Sequence, residues 1–245
     1  MQALVAFKDI VALKKELART LPHVSSSHRA EALARGLGWN TYAAALAALN
    51  SGPDERRVTN NTFVTYLAEH AFPEVPFDTL GAAMVQVKFV AERTAITNVL
   101  EATPLLTRGG YGIYRPDRLT PGEREQKFQG DREQLLSSRS IDEFQRVVAF
   151  LAHYPKRGTI NRRYCSYNLK HHAEQFCRER GHPDPYVSNG AFIAAAIHVG
   201  FTAVPEGANA YFNISTRSTP SARLASRPRA REQGWFGSSH RLVEG

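Results

Sequence analysis

The sequence predicts an α+β fold that is mostly helical. Apolar residues recur at helical spacing along much of the chain, most clearly at Ile141, Phe144, Val147, Val148 and Leu151. Clear β signals are few: FTAV and AYFNIS flank the turn PEGAN, and this arrangement predicts a β-hairpin. With 245 residues, 42% of them hydrophobic and 22% charged, the chain can form one large or two smaller water-soluble domains.

Changes in composition along the chain indicate four segments. We expect a helical module over residues 1–52, a middle α/β region over 53–139 and a basic winged-helix-like domain over 140–215. The remaining residues, 216–245, are rich in Ser, Pro, Ala and Arg, a composition that predicts a disordered basic tail.

The first module is predicted to be a compact helical hairpin. Apolar residues over 3–20 form one helical stripe, and SSSHRAEALARGLGW predicts a second helix that follows a serine cap. Gly36 and Gly38 end that helix, and Asn40 or Thr41 can cap a third. The next residues, SGPDERR, are typical of a linker or a long turn.

This module resembles a small helical segment of uncharacterised plasmid- and phage-linked bacterial proteins, which also occurs as a helical extension of some glyoxalase-related proteins. The residues that carry the resemblance are Leu13, Lys14, Ser27, His28, Ala32, Leu33, Ala34, Leu37, Gly38, Trp39, Thr41 and Tyr42. The resemblance implies no chemistry. The spacing is also similar to that of a helix-turn-helix, but the third helix has no Lys or Arg, which favours packing against protein.

The middle region is predicted less definitely. Residues 62–70 and 78–92 suggest two helices, the second capped by Asp78, although VQVKFV within it also fits a strand. TRGGYGIYRPDR suggests a hairpin or short strand, without the glycine spacing of a phosphate-binding loop. TPGEREQKFQGDREQLLSS fits either a surface helix or a mobile connector.

The last folded segment has signals for a winged-helix order of elements. Ser140 and Glu143 form a capping-box pattern before a helix that ends ahead of Pro155, and KRGTINRR follows as an extended segment. Ser166 is a candidate cap for a helix that runs to about Arg180, and Ser188 or Asn189 for the next helix, which Gly200 ends. The β-hairpin completes the unit. The stretch from 166 to 214 also resembles sequences in uncharacterised proteins of bacterial mobile elements.

The positive charge of the chain is concentrated after residue 154. Residues 1–154 hold 18 Lys and Arg against 17 Asp and Glu, whereas residues 155–245 hold 13 against 6. Such a one-sided positive field attracts polyanions, of which DNA and RNA are the most common. The candidate nucleic-acid-binding residues are Lys156, Arg157, Arg162, Arg163, Lys170, His171 and Asn189.

The candidate recognition helix, NGAFIAAAIHVG, is apolar almost all round, a pattern typical of a buried helix. We therefore expect phosphate contacts and recognition of nucleic-acid shape rather than direct base readout. A basic α/β domain that binds another protein is the alternative.

The stretch YCSYNLKHHAEQFCRERGH contains both cysteines and three histidines, so it also raises the question of a metal or catalytic site. Cys165 and His172 fall on one helix face, but Cys177 lies about 140° round from His172. Since the short spacing between paired zinc cysteines is also missing, we predict no metal and no cofactor. No serine elbow, Walker loop or H-E-x-x-H pattern is present, so the sequence predicts no enzyme.

These patterns predict a cytoplasmic nucleic-acid-binding accessory protein of a bacterial mobile element, with DNA as the expected partner. The longest apolar runs are too short to span a membrane, and two cysteines suit a reducing compartment. The alternative is a protein-interaction adaptor of a larger assembly, which would dock through the N-terminal helical module or through Trp235 and Phe236.

Overall fold

The structure, a computed structural model, describes residues 2–113 and 118–215. Contacts within the chain divide it into two compact units, one up to Ala95 and the other from Ile96 onward. The fold is α+β and mostly helical, as predicted. The predicted basic tail with Trp235 and Phe236 lies outside the described residues. Over the described residues, no helix is both long and apolar enough to cross a membrane.

The first unit begins with a strand that overlaps the start of the predicted helical stripe over residues 3–20. Strand β1 (Gln2–Val5) precedes helix α1 (Phe7–Thr20) and pairs antiparallel with β2 (Asp54–Arg57). The sequence pattern predicts a helix for the residues of β1 and a linker or long turn for those of β2, and both predictions are wrong. Their hydrogen bonds join segments about fifty residues apart in sequence, and local periodicity cannot report such a pairing.

The three predicted helices of this unit are present. They are α1, α2 (Ser26–Gly36) and α3 (Tyr42–Asn50). Ser25 and Thr41 cap α2 and α3, because their hydroxyls accept hydrogen bonds from the amides of His28 and Ala44. A further helix, α4 (Asn60–Glu69), completes a core of buried aliphatic and aromatic side chains that includes Ile10, Leu13, Leu17, Leu33, Leu37, Phe63 and Leu67.

Helix α5 (Thr79–Ala102) is longer than the predicted 78–92 and includes VQVKFV, so the strand alternative for that segment is wrong. The division between the two units falls within this helix. In the second unit, β3 (Leu106–Thr107) and β4 (Gly110–Tyr111) form the predicted short hairpin, and residues 114–117 beyond it lie outside the described residues. The polar stretch TPGEREQKFQGDREQLLSS contains helix α6 (Pro121–Leu135).

Helix α7 (Ser138–Leu151) is correctly predicted, but its capping box is not. The cap is Ser137, whose hydroxyl accepts a hydrogen bond from the Ser140 amide. Ser140 and Glu143 lie inside the helix and are fully buried. Their spacing resembles a capping box because both side chains are polar, yet they bond to other segments of the unit.

The remaining elements occur in the predicted order of an extended segment, two helices and a β-hairpin. They are β5 (Lys156–Cys165), α8 (Ser166–Glu179), α9 (Asn189–His198), β6 (Ala203–Glu206) and β7 (Asn209–Ile214). The three strands form an antiparallel sheet in the order β5-β7-β6, so β5 is an edge strand. Gly207 has a φ of 56°, which allows the tight turn between β6 and β7.

Helix α9 lies in the core of this unit. Its residues from Asn189 to Ala196 are buried, and the Phe192 ring contacts Phe150 of α7 and Phe212 of β7. The first turn of α9 also packs directly on the turn after β3, where the Gly190 amide donates to the Arg108 carbonyl. An internal helix of this kind cannot enter a nucleic-acid groove.

The close contact at Gly190 makes a specific prediction. A Cβ atom at this position would collide with the backbone carbonyl of Thr107, so Gly190→Ala should lower the free energy of unfolding by about 3 kcal/mol. Gly130→Ala is the matched control, since Gly130 lies within α6 with open space around it and should stabilise by up to about 1 kcal/mol. Denaturant titrations followed by circular dichroism compare the variants. Equal stability of Gly190→Ala and wild type would contradict the packing described.

Candidate nucleic-acid interface

Strand β5 carries four of the seven predicted residues. Lys156, Arg157, Arg162 and Arg163 are all exposed, and none of them forms an ion pair with a described carboxylate. The pairing of β5 with β7 shifts register on both sides of Asn161. The buried Asn161 side chain donates to the Ile214 carbonyl and accepts from the Arg163 amide, and so satisfies backbone groups at this irregularity.

Aromatic rings lie beside both arginines. The Arg162 guanidinium is 5.6 Å from the centroid of the Tyr211 ring, and that of Arg163 is 5.2 Å from the Tyr164 ring. Such contacts order a guanidinium without neutralising its charge. A hydrogen bond with Glu206 raises the pKa of the Tyr211 hydroxyl, so this hydroxyl stays protonated at neutral pH.

The other end of β5 carries the remaining two cations. The Lys156 Nζ atom is 5.8 Å from the centroid of the Phe201 ring, and Arg157 donates a hydrogen bond to the Thr159 hydroxyl. All four cations on β5 are thus ordered by uncharged groups, so their positive charge remains available to an anion.

Lys170 is placed differently from these four cations. It is buried on α8, and its Nζ atom lies 3.0 Å from Glu174 Oε1. His171 Nδ1 lies 2.7 Å from the other oxygen of the same carboxylate. Since Lys170 already has a buried counter-ion, its charge is neutralised within the unit.

Glu174 is the acceptor on which this cluster depends. Burial alone would raise the pKa of Glu174, but hydrogen bonds from His171, Lys170 and the Val187 amide outweigh burial and lower the pKa. The carboxylate therefore remains ionised at neutral pH and ties α8 to the segment that precedes α9.

Asn189 is also buried. Its Nδ2 atom donates to the Ala208 carbonyl at 2.9 Å and to Asn209 Oδ1 at 3.1 Å, so the amide fastens the start of α9 to the β6–β7 turn. Lys170, His171 and Asn189 thus share one region of the unit, while the four cations on β5 occupy another.

Glu143 forms a second buried anionic centre, which the sequence analysis missed. One carboxylate oxygen accepts from Arg108 at 2.8 Å, and the other accepts from both the amide and the hydroxyl of Ser188. The signal for its burial was spacing, because Glu143 lies four residues before Val147 of the apolar stripe and the two share a helix face.

Glu174 and Arg108, the partner of Glu143, line a cleft of about 750 Å³. Its walls come from the β3–β4 turn, α6, α8, the start of α9 and the β6–β7 turn. Tyr167 and Tyr186 lie at the cleft with 52% and 42% of their surfaces exposed. The Lys170 Nζ atom lies 5.2 and 5.3 Å from the centroids of these two rings, respectively. Further lining side chains are Thr107, Arg108, Lys127, Asp131, Gln134 and Asn209.

The cysteines and histidines that raised the metal question do not converge. The Cys165 thiol donates to the Asn168 side chain, and Cys177 is buried in the core, where burial raises the pKa of its thiol. The His172 ring packs against Tyr164, whereas His171 bonds to Glu174. Within residues 2–113 and 118–215, no three His, Cys, Asp or Glu side chains are arranged to hold a metal ion.

Comparison with known proteins found no protein-family model, no curated protein and no solved structure that matches this chain.

The lowered pKa of Glu174 predicts an acid-sensitive contribution to stability. Glu174→Gln leaves the Lys170 ammonium buried without a counter-ion, so we expect the free energy of unfolding to fall by about 3 kcal/mol at neutral pH. The folded-state pKa lies below the ordinary value of 4.5. The difference in free energy of unfolding between wild type and Glu174→Gln is therefore complete above that value, and it is lost as the pH falls through the folded-state pKa.

Denaturant titrations between neutral pH and pH 3 measure this difference. The control is Glu179→Gln, an exposed glutamate near the end of the same helix, which should change stability little at any pH. A difference between wild type and Glu174→Gln that stays constant with pH would show that the ionised carboxylate is not the source of the stabilisation.

Proposed function

We propose that this chain is a non-enzymatic nucleic-acid-binding accessory protein that contacts phosphates through β5. The observation that carries the proposal is the set of four exposed cations on this one strand, none of them paired with a described carboxylate. Exposed, unneutralised Lys and Arg side chains bind phosphate and release the counter-ions condensed on a nucleic acid. DNA is the proposed partner, as the sequence analysis expected.

The location of α9 determines the mode of binding within this proposal. Because α9 is internal, binding by insertion of a recognition helix into the major groove is not part of the proposal. The arginines beside Tyr164 and Tyr211 instead provide cations next to aromatic rings, a combination that suits the phosphates and bases of a single strand. We therefore favour single-stranded over duplex DNA.

Two further parts of the proposal concern the cellular compartment of the protein and its origin in a mobile element. Cys165 and Cys177 are free thiols, which is consistent with the reducing cytoplasm. The assignment to a bacterial mobile element depends on the sequence resemblances alone and remains a prediction.

The proposal predicts that binding depends on the two arginines near the end of β5. Replacing Arg162 and Arg163 together with alanine should weaken DNA binding at least about tenfold at low salt. Four phosphate contacts give a slope of log affinity against log salt of roughly −3 for a single strand, and two lost contacts reduce its magnitude by about 1.4. Fluorescence anisotropy with labelled single-stranded DNA at several salt concentrations measures both values.

The matched control is Lys8→Ala with Lys15→Ala, which removes the same charge from exposed positions of α1. It should leave the affinity and the slope close to those of wild type. If both double variants weaken binding equally, binding reflects only net charge. If neither changes it, β5 is not the interface.

An adaptor function is the second candidate, favoured by the exposed apolar side chains of the first unit. Phe77 and Val85 are 61% and 64% exposed and border a second cleft of about 430 Å³. Exposed apolar groups of this kind often mark protein contacts. Phe77→Asp would disrupt such a contact and leave DNA binding by β5 intact, whereas the Arg162 and Arg163 variant would have the opposite effects.

A further inference from the structure

The second unit contains a cleft that none of the four β5 cations lines. We propose that it receives a nucleobase of a single-stranded nucleic acid whose phosphates lie along β5. This inference rests on the proposed function and adds the part of the ligand that the cleft recognises. Three properties of the cleft support it: its charge balance, its aromatic walls and its position next to β5.

The charged groups of the cleft are already neutralised in pairs. Arg108 pairs with Glu143 at 2.8 Å, Lys170 with Glu174 at 3.0 Å and Lys127 with Asp131 at 3.1 Å. Three cations are therefore matched by three carboxylates, of which Glu143 is fully buried and does not itself line the cleft. Such a surface attracts a phosphate far less than β5 does, because its net charge is close to zero. It suits a neutral, polar ligand with several hydrogen-bonding groups, and a nucleobase has these properties.

Two tyrosine rings provide the surface that a planar heterocycle needs. Tyr167 and Tyr186 both retain about half of their surface exposed although they border a cleft. Stacking on aromatic side chains is the main way in which proteins hold unpaired bases. Gln134 and Asn209 carry amide groups at the same cleft, and amides can hydrogen-bond the edge of a base. A volume of about 750 Å³ lies in the usual range for small-ligand sites.

Tyr167, which lines the cleft, lies two residues after the last residue of β5. Cys165, the last residue of β5, is followed by Ser166, whose hydroxyl accepts a hydrogen bond from the Ala210 amide of β7. This bond fixes the junction between strand and helix and so fixes Tyr167 in the first turn of α8. Arg163 and Tyr167 are four residues apart, which limits their Cα atoms to a separation of about 14 Å. One strand of nucleic acid can therefore contact both.

The test uses the full chain and two end-labelled oligonucleotides with the same number of phosphates. One is single-stranded DNA of mixed sequence, and the other has abasic tetrahydrofuran residues in place of nucleosides. Wild type should bind the intact strand at least about tenfold more tightly, as expected for one stacked base. Tyr167→Leu should reduce this preference at least about fivefold, and Tyr167→Phe should keep it because it retains the ring. Tyr167 is exposed, so neither change should affect folding, and thermal unfolding verifies this.

Each outcome distinguishes the two proposals. If wild type binds both oligonucleotides equally, or Tyr167→Leu keeps the preference for bases, the cleft does not hold a base while phosphate binding by β5 stands. A second outcome is that Arg162→Ala with Arg163→Ala leaves binding of the intact strand unchanged while Tyr167→Leu abolishes it. In that case the cleft binds the nucleic acid, and the proposal that β5 binds its phosphates is wrong. If wild type binds neither oligonucleotide, both proposals fail.

Discussion

Two buried carboxylates of the second unit, Glu143 on α7 and Glu174 on α8, determine how its parts are held together. A buried charge is tolerated only when donors surround it, and each carboxylate is met by donors from different segments. Glu143 joins α7 to the β3–β4 turn and to the start of α9. Glu174 joins α8 to the segment before α9. The position of α9, and hence of the cleft, follows from these bonds.

This arrangement also divides the positive charge of the unit into two classes. Arg108 and Lys170 form ion pairs with the buried carboxylates and stabilise the fold. The cations of β5 are exposed at a sheet edge, where they have a further physical effect, since charge on an edge strand disfavours pairing with another chain. Protecting the edge from pairing with another chain and binding phosphate require different properties of these charges. Protection requires only charge along the edge, whereas binding requires that the charge stay unpaired and ordered, as it is beside Tyr211 and Tyr164.

The parts of the fold that depend on local chemistry were predictable from the sequence. The apolar stripe of α7, the Ser188 cap of α9 and the turn at Gly207 each have a local signature, and each occurs where expected. The pairing of β1 with β2 was not predictable, because it depends on contacts between distant segments. The sequence also could not show that Lys170 would be buried while Arg162 and Arg163 stay exposed. All three are basic residues close to the same helix start, and only the packing of Glu174 against the segment before α9 separates them.

Amide hydrogen exchange of the protein with and without single-stranded DNA tests most directly whether the ligand lies along β5. The account predicts slower exchange in β5 and in the first turn of α8 when DNA is present, because the edge amides of β5 are then covered. Exchange in α1 to α4 should remain unchanged. Protection confined to the first unit, with no change in β5, would contradict the account.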